Sequence, residues 1–78
     1  MNPFLHLSLH LAIEEQLSID QPPGVCAHYR GLLEKTGVEH GAKHVLLECL
    51  AETLWRAQRN GAAPDNEIYL ECLRQKPD

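Results

Sequence analysis

The amino-acid sequence predicts an all-α fold of four helices arranged as two helical hairpins, a bundle-like architecture. Apolar residues recur three and four positions apart along most of the chain, the spacing that places them on one face of a helix. No stretch alternates apolar and polar residues with the period of two that a half-buried strand requires. Proline and glycine fall between the four periodic segments, so they mark where each helix stops.

Each predicted helix begins or ends at residue types that are common at helix termini. Asn2 is an N-cap residue ahead of Pro3, and Asp65 is an N-cap residue for the fourth helix. Gly37 and Gly61 follow the second and third helices, where glycine readily ends a helix. The predicted helices span about 3–18, 23–36, 39–60 and 66–75.

The size and charge of the chain limit what it can do alone. Seventy-eight residues make one domain, 1–78, and a chain this short buries little apolar surface. A metal, a partner or a second copy is therefore expected to add stability. The formal net charge is −4, and lysine and arginine total only 7 residues. This composition offers no basic face to follow a phosphate backbone, so it argues against nucleic-acid binding.

The cysteines, at positions 26, 49 and 72, are odd in number and form no Cys-x-x-Cys pair. This pattern predicts reduced thiols in a cytoplasmic protein rather than a disulfide framework. Cys49 in particular is expected to be a small buried apolar side chain.

The apolar opening, residues 4–13, is neither a typical signal peptide nor a membrane span. It lacks a basic segment before it, contains two histidines and runs directly into Glu14 and Glu15. It is also too short and too polar to cross a bilayer. The sequence therefore predicts no membrane segment.

The most distinctive pattern is a histidine, three residues, a second histidine, three residues and a glutamate, which occurs twice. Each four-residue step on a helix turns the side chain by only about 40°, so each triplet forms one inclined row. The first row is on predicted helix 1 and the second is on predicted helix 3. The rows are His6, His10 and Glu14, and His40, His44 and Glu48.

Two histidines one turn apart leave the same helix face at a separation that one metal ion can bridge. The glutamate one turn further on can be a third ligand or can orient the imidazole. If helices 1 and 3 are adjacent, the two rows would supply up to four nitrogens and two carboxylates, which suits zinc, iron or manganese. No organic cofactor is indicated. The predicted function is transition-metal binding through all six side chains.

A second interpretation stays open, in which the rows are hydrogen-bonded struts and the chain is an interaction module. The face of helix 1 opposite the histidines holds Phe4, Leu7 and Leu11. A helix that is apolar nearly all round is buried on more than one side. Helix 1 is therefore expected to form a homodimer or to dock on another protein.

The sequence leaves the question of catalysis open. It contains no Ser-His-Asp arrangement, no glycine-rich phosphate loop and no Cys-x-x-Cys motif. Trp55 is expected in the core or at an interface, and Tyr29 and Tyr69 are expected in the core with hydroxyls that reach water. Glu14 is expected to lack a local cation other than His10, because helix 1 contains no lysine or arginine.

Several segments of the chain also carry a family resemblance. NPFLHLSLHLAIEEQL, IDQPPG, EH and WRAQRNG together resemble a bacterial family of uncharacterised proteins catalogued as domain of unknown function 1841. The resemblance covers nearly the whole chain and implies no activity, since the family has none established. Typical members are longer and have an upstream segment with further histidines. The resemblance therefore implies a short member or the C-terminal, histidine-rich part of a longer architecture.

Overall fold

The computed structural model describes residues 3–75, and in this range the chain forms four α-helices and no strand. The helices are α1 (Pro3–Ile19), α2 (Val25–Thr36), α3 (Glu39–Asn60) and α4 (Asn66–Gln75). The predicted all-α class is confirmed, and the predicted bounds agree within two residues. The predicted N-cap Asn2 lies outside the described residues.

The start of α2 differs from the prediction, because the chain turns at Gly24. Gly24 has a left-handed backbone with φ of 95°, which a helix cannot contain, so α2 begins at Val25 rather than at Pro23. The Asp20 carboxylate holds this turn by accepting the backbone N–H groups of Cys26 at 3.0 Å and Gly24 at 3.4 Å. These two hydrogen bonds lower the pKa of the Asp20 carboxylate below its usual value, and the one from Cys26 has the larger effect.

The other helix ends follow the expected chemistry. Gly37 ends α2 with φ of 69°, and its N–H donates to the Leu33 carbonyl at 2.8 Å. Gly61 ends α3 in the same left-handed region, with φ of 62°. The Asp65 carboxylate accepts the Glu67 N–H at 2.8 Å and so caps α4.

Helix α3 is the centre of the molecule, because it packs against each of the other three helices. Helix α1 contacts both α2 and α3, and it contributes only Leu9 and Ile13 to the fully buried set. The buried core cluster consists of Leu9, Ile13, Val25, Leu32, Ala42, Leu46, Leu47, Cys49, Leu50, Tyr69 and Leu73. Most of the apolar surface of α1 therefore lies outside the core.

The two tyrosines occupy different environments. Tyr69 is buried, and its hydroxyl donates to the Gln16 side-chain oxygen at 2.7 Å, which joins α4 to α1. Burial raises the pKa of Tyr69. The expectation that this hydroxyl reaches water was wrong, since the folded chain brings Gln16 to it instead. Tyr29 is half-buried at the edge of the core.

The prediction of three reduced thiols was also wrong. Cys49 and Cys72 form a disulfide between α3 and α4, with Cα atoms 5.7 Å apart. Cys49 is buried as expected, but packing of α4 on α3 brings a second sulfur to it. Cys26 is a free thiol that donates to the Leu17 carbonyl at 3.1 Å, and partial burial raises the pKa of this thiol. The prediction of a cytoplasmic protein depended on reduced thiols, and the Cys49–Cys72 disulfide removes that support.

The length and hydropathy of the four helices bear on whether any of them could span a membrane. Within residues 3–75, none of them is long and apolar enough to cross a bilayer.

Candidate metal centre

The first predicted row places two imidazoles in contact on the N-terminal half of α1. The Nε2 atoms of His6 and His10 are 3.0 Å apart, and the ring centroids are 4.5 Å apart in an edge-to-face arrangement. One ring donates its N–H to the other ring's nitrogen. Two nitrogen ligands that share a zinc ion are separated by about 2.9–3.4 Å, given Zn–N bonds of about 2.0–2.1 Å at 90–110°. The pair therefore has the spacing of a chelate before any metal is added.

The second row is arranged differently. The ring centroids of His40 and His44 are 6.4 Å apart, and the rings are tilted by 36°. The His44 Nδ1 atom lies 3.4 Å from a Glu48 carboxylate oxygen. Glu48 therefore lies beside His44, while the ring centroids of the two imidazoles are too far apart to resemble the α1 pair.

Glu14, the carboxylate of the first row, forms an ion pair with a lysine from α3. The Lys43 ammonium lies 2.7 Å from a Glu14 oxygen and 3.0 Å from a Glu39 oxygen. Hydrogen bonds to these two carboxylates raise the pKa of the Lys43 ammonium above its usual value, and the one to Glu14 has the larger effect. The four-residue spacing of Glu39 and Lys43 in the sequence indicates the ion pair between these two residues. The contact with Glu14 required the packing of α1 on α3.

The two rows do not form a common site within one chain. Among residues 3–75, no group of three or more His, Cys, Asp or Glu side chains is placed to hold one metal ion. The structure gives no support to a site that all six predicted ligands share. Metal binding by either histidine pair stays a prediction.

The side of α1 that faces away from the core carries three exposed apolar residues, which we call the α1 strip. Phe4, Leu7 and Leu11 are 81%, 57% and 62% exposed. They stand at positions i, i+3 and i+7, so they form one continuous row opposite the buried Leu9. Residues 3–13 contain no Asp, Glu, Lys or Arg. The strip is therefore an uncharged apolar surface that has His10 at its border, while His6 lies nearer the opposite face of the helix.

A second apolar feature is a groove of about 660 Å³ between the start of α1 and the end of α3. Its walls include Leu5, Leu54, Trp55 and Pro64. Trp55 is 55% exposed, and the Arg59 guanidinium lies 4.8 Å from its ring centre in a cation–π contact. Trp55 is therefore not in the core, and the alternative expectation, that it lies at an interface, stays a prediction.

These features define a small four-helix protein whose first helix presents a histidine pair and an uncharged apolar strip. The chain belongs to the family described as Domain of unknown function (DUF1841), which matches residues 1–75. No curated protein and no solved structure matches the chain.

Proposed function

We propose that this protein binds a transition metal through His6 and His10, which act as a two-nitrogen chelate on α1. The proposal is supported by one observation above the others, the 3.0 Å separation of the two Nε2 atoms. Little ring movement is needed for both nitrogens to reach one ion. The hydrogen bond between the rings has to break on binding, and the donor ring has to present an unprotonated Nε2, but the two nitrogens already lie at the separation that one ion requires.

The ligand chemistry favours zinc or iron over manganese. Imidazole suits zinc and iron, whereas manganese prefers carboxylate and water oxygens. Glu14 would be the nearest carboxylate along the row, and its interaction with Lys43 competes with metal ligation. A role for Glu14 as a ligand would require that ion pair to break.

The second row is the weaker part of the proposal. For His40 and His44 to share an ion, the rings would have to move closer together and His44 would have to leave Glu48. We therefore retain His40, His44 and Glu48 as a secondary metal site that binds less tightly than the α1 pair. No catalytic role is proposed for either row.

Calorimetric titration of untagged protein with zinc chloride tests the proposal. Wild-type protein should bind zinc, His10→Ala should not bind it measurably at the α1 pair, and His44→Ala should retain most of the affinity. His28→Ala is the matched control, because His28 lies on α2 outside both rows. Glu14→Gln should lose less than the roughly tenfold typical of a carboxylate that orients a ligating histidine. Wild-type protein that binds no zinc would contradict the proposal.

A second candidate function is self-association through the α1 strip. It is favoured by the exposure of Phe4, Leu7 and Leu11, because the largest contiguous apolar patch of a protein is often an interaction site. A second copy is a fitting occupant, because the strip is uncharged and its spacing complements itself when two helices pack side by side. Leu7→Ser should lower any self-association seen by sedimentation, whereas Ser8→Ala on the same helix should not.

A further inference from the structure

We infer that the metal is held by four imidazoles, from His6 and His10 of two copies of this chain, and that it bridges a homodimer formed by the α1 strips. This inference rests on the proposed function and adds the partner to it. A histidine pair supplies two ligands, and zinc in a protein ordinarily takes four in a tetrahedral arrangement. A second copy can offer an identical pair.

The position of the pair relative to the α1 strip leads to this arrangement. Spacings of three and four between Phe4, Leu7 and Leu11 are those of the a and d positions of a coiled coil. In that register His10 occupies a g position, at the border of the strip, and Leu9 occupies the f position that points into the chain's own core. Two copies can therefore join at the strip without disturbing the four-helix core.

An antiparallel pairing of the two α1 helices brings the histidines together. In such a pair the side chains at heptad position a pack against those at position d of the other helix, so Leu7 of each copy packs against Leu11 of the other. The twofold axis then crosses the helices at about the level of residue 9, one position from His10. The g positions of antiparallel helices face each other, so both His10 rings lie beside the axis. His6 is at the c position, one turn away and farther from the partner helix, and its Nε2 atom is 3.0 Å from that of its own His10.

Charge placement is compatible with the same pairing. The strip and its borders carry no charge between residues 3 and 13, so like charges do not meet at the centre. At each end the same register places Glu14 of one copy level with Phe4 of the other, and Lys43 of its own chain neutralises that carboxylate. Glu15 of each copy lies toward the first turn of the other copy's α1. The exposed N–H groups of that turn favour a negative charge.

The small size of the strip indicates that a stable dimer needs the metal. Three exposed apolar side chains present on the order of 300–400 Å² per copy, comparable to the largest apolar patch of an ordinary monomer. Two such surfaces fall short of the roughly 1,200 Å² of total buried area in a standard stable interface. We therefore expect the strip alone to associate weakly and zinc to convert this association into a stable dimer.

Sedimentation velocity of the untagged full chain, combined with zinc analysis of the separated species, tests the inference. With zinc chloride the protein should sediment as a dimer that contains one zinc per two chains, and with a chelator it should sediment as a monomer at the same micromolar concentration. His10→Ala should stay monomeric in zinc, whereas His28→Ala should dimerise like wild type. Leu11→Glu should lose the dimer and bind zinc more weakly than wild type, because each chain then supplies only two imidazoles. Its circular dichroism should match wild type, because Leu11 is exposed.

The outcomes separate the inference from the proposed function. A monomer with one zinc per chain would uphold the chelate and overturn the four-imidazole site. A dimer that persists with chelator and in His10→Ala would also overturn it. The absence of zinc in any species would overturn both. Loss of zinc on Cys26→Ser substitution would show thiolate ligation and would likewise overturn both.

Discussion

Tyr69 brings a polar hydroxyl into the core, and Gln16 is its partner across 53 positions of sequence. Tyr69→Phe should lower the free energy of unfolding by about 0.5–1.5 kcal/mol, the usual net value of one hydrogen bond, and by more if Gln16 finds no other donor. Urea denaturation measures the change. Tyr29→Phe is the matched control and should cost less, because Tyr29 is only half-buried. Equal losses in both variants would show that the Gln16 bond contributes nothing specific.

Asp20 provides a prediction about pH at the α1–α2 turn. Its pKa in the folded chain lies below the usual 3.8, because the N–H groups of Cys26 and Gly24 stabilise the carboxylate. A depressed pKa adds stability that is present above the unfolded value and is lost as the pH falls through the folded value. Asp20→Ala should therefore melt at a lower temperature than wild type at pH 7. The difference should shrink below about pH 4. A constant difference down to pH 2 would mean that the charge of Asp20 is not what holds the turn.

At the scale of the helices, the Cys49–Cys72 disulfide fastens α4 to α3. It links positions 23 apart, and closing a loop of this size in the unfolded chain is worth about 2–4 kcal/mol. Cys49→Ala with Cys72→Ala should lower stability by that amount. A reducing agent should lower the melting temperature of wild type and leave the double variant unchanged. Cys26→Ser serves as the control and should respond to reductant as wild type does.

Helix α1 differs from the other three helices in how little of its apolar surface the fold covers. Only Leu9 and Ile13 are fully buried along its 17 residues, although nearly every side chain in its first half is apolar or histidine. The remaining apolar row is available to a second copy. This helix, rather than the core around α3, is where metal and partner are expected to act.

At the scale of the whole molecule, zinc should couple stability to assembly. A ligand that binds only the folded dimer raises the melting temperature by mass action, and the rise depends on protein concentration. With zinc present, a tenfold increase in protein concentration should raise the melting temperature of wild type measurably. With chelator, or in His10→Ala, the same dilution series should give one melting temperature. Manganese should raise the melting temperature less than zinc. A concentration-independent melting temperature in zinc would indicate a monomeric site.

Local interactions explain why the sequence by itself determined the helices. Pro3, Gly37, Gly61 and Asp65 act on the backbone within a few residues of themselves, so their effect on helix ends can be read without knowing the fold. The same holds for the placement of His6 and His10 on one face, because residues one turn apart are neighbours on any helix.

Only the tertiary structure decided the contacts between helices. The pairing of Cys49 with Cys72, of Lys43 with Glu14 and of Tyr69 with Gln16 depends on the rotation and depth of one helix against another. Periodicity does not encode that rotation, since each helix has several neighbours that could cover its apolar face. The two histidine rows have identical spacing but different geometries, because spacing along a helix does not fix the side-chain rotamers. His6 and His10 meet on α1, whereas His44 turns toward Glu48 on α3.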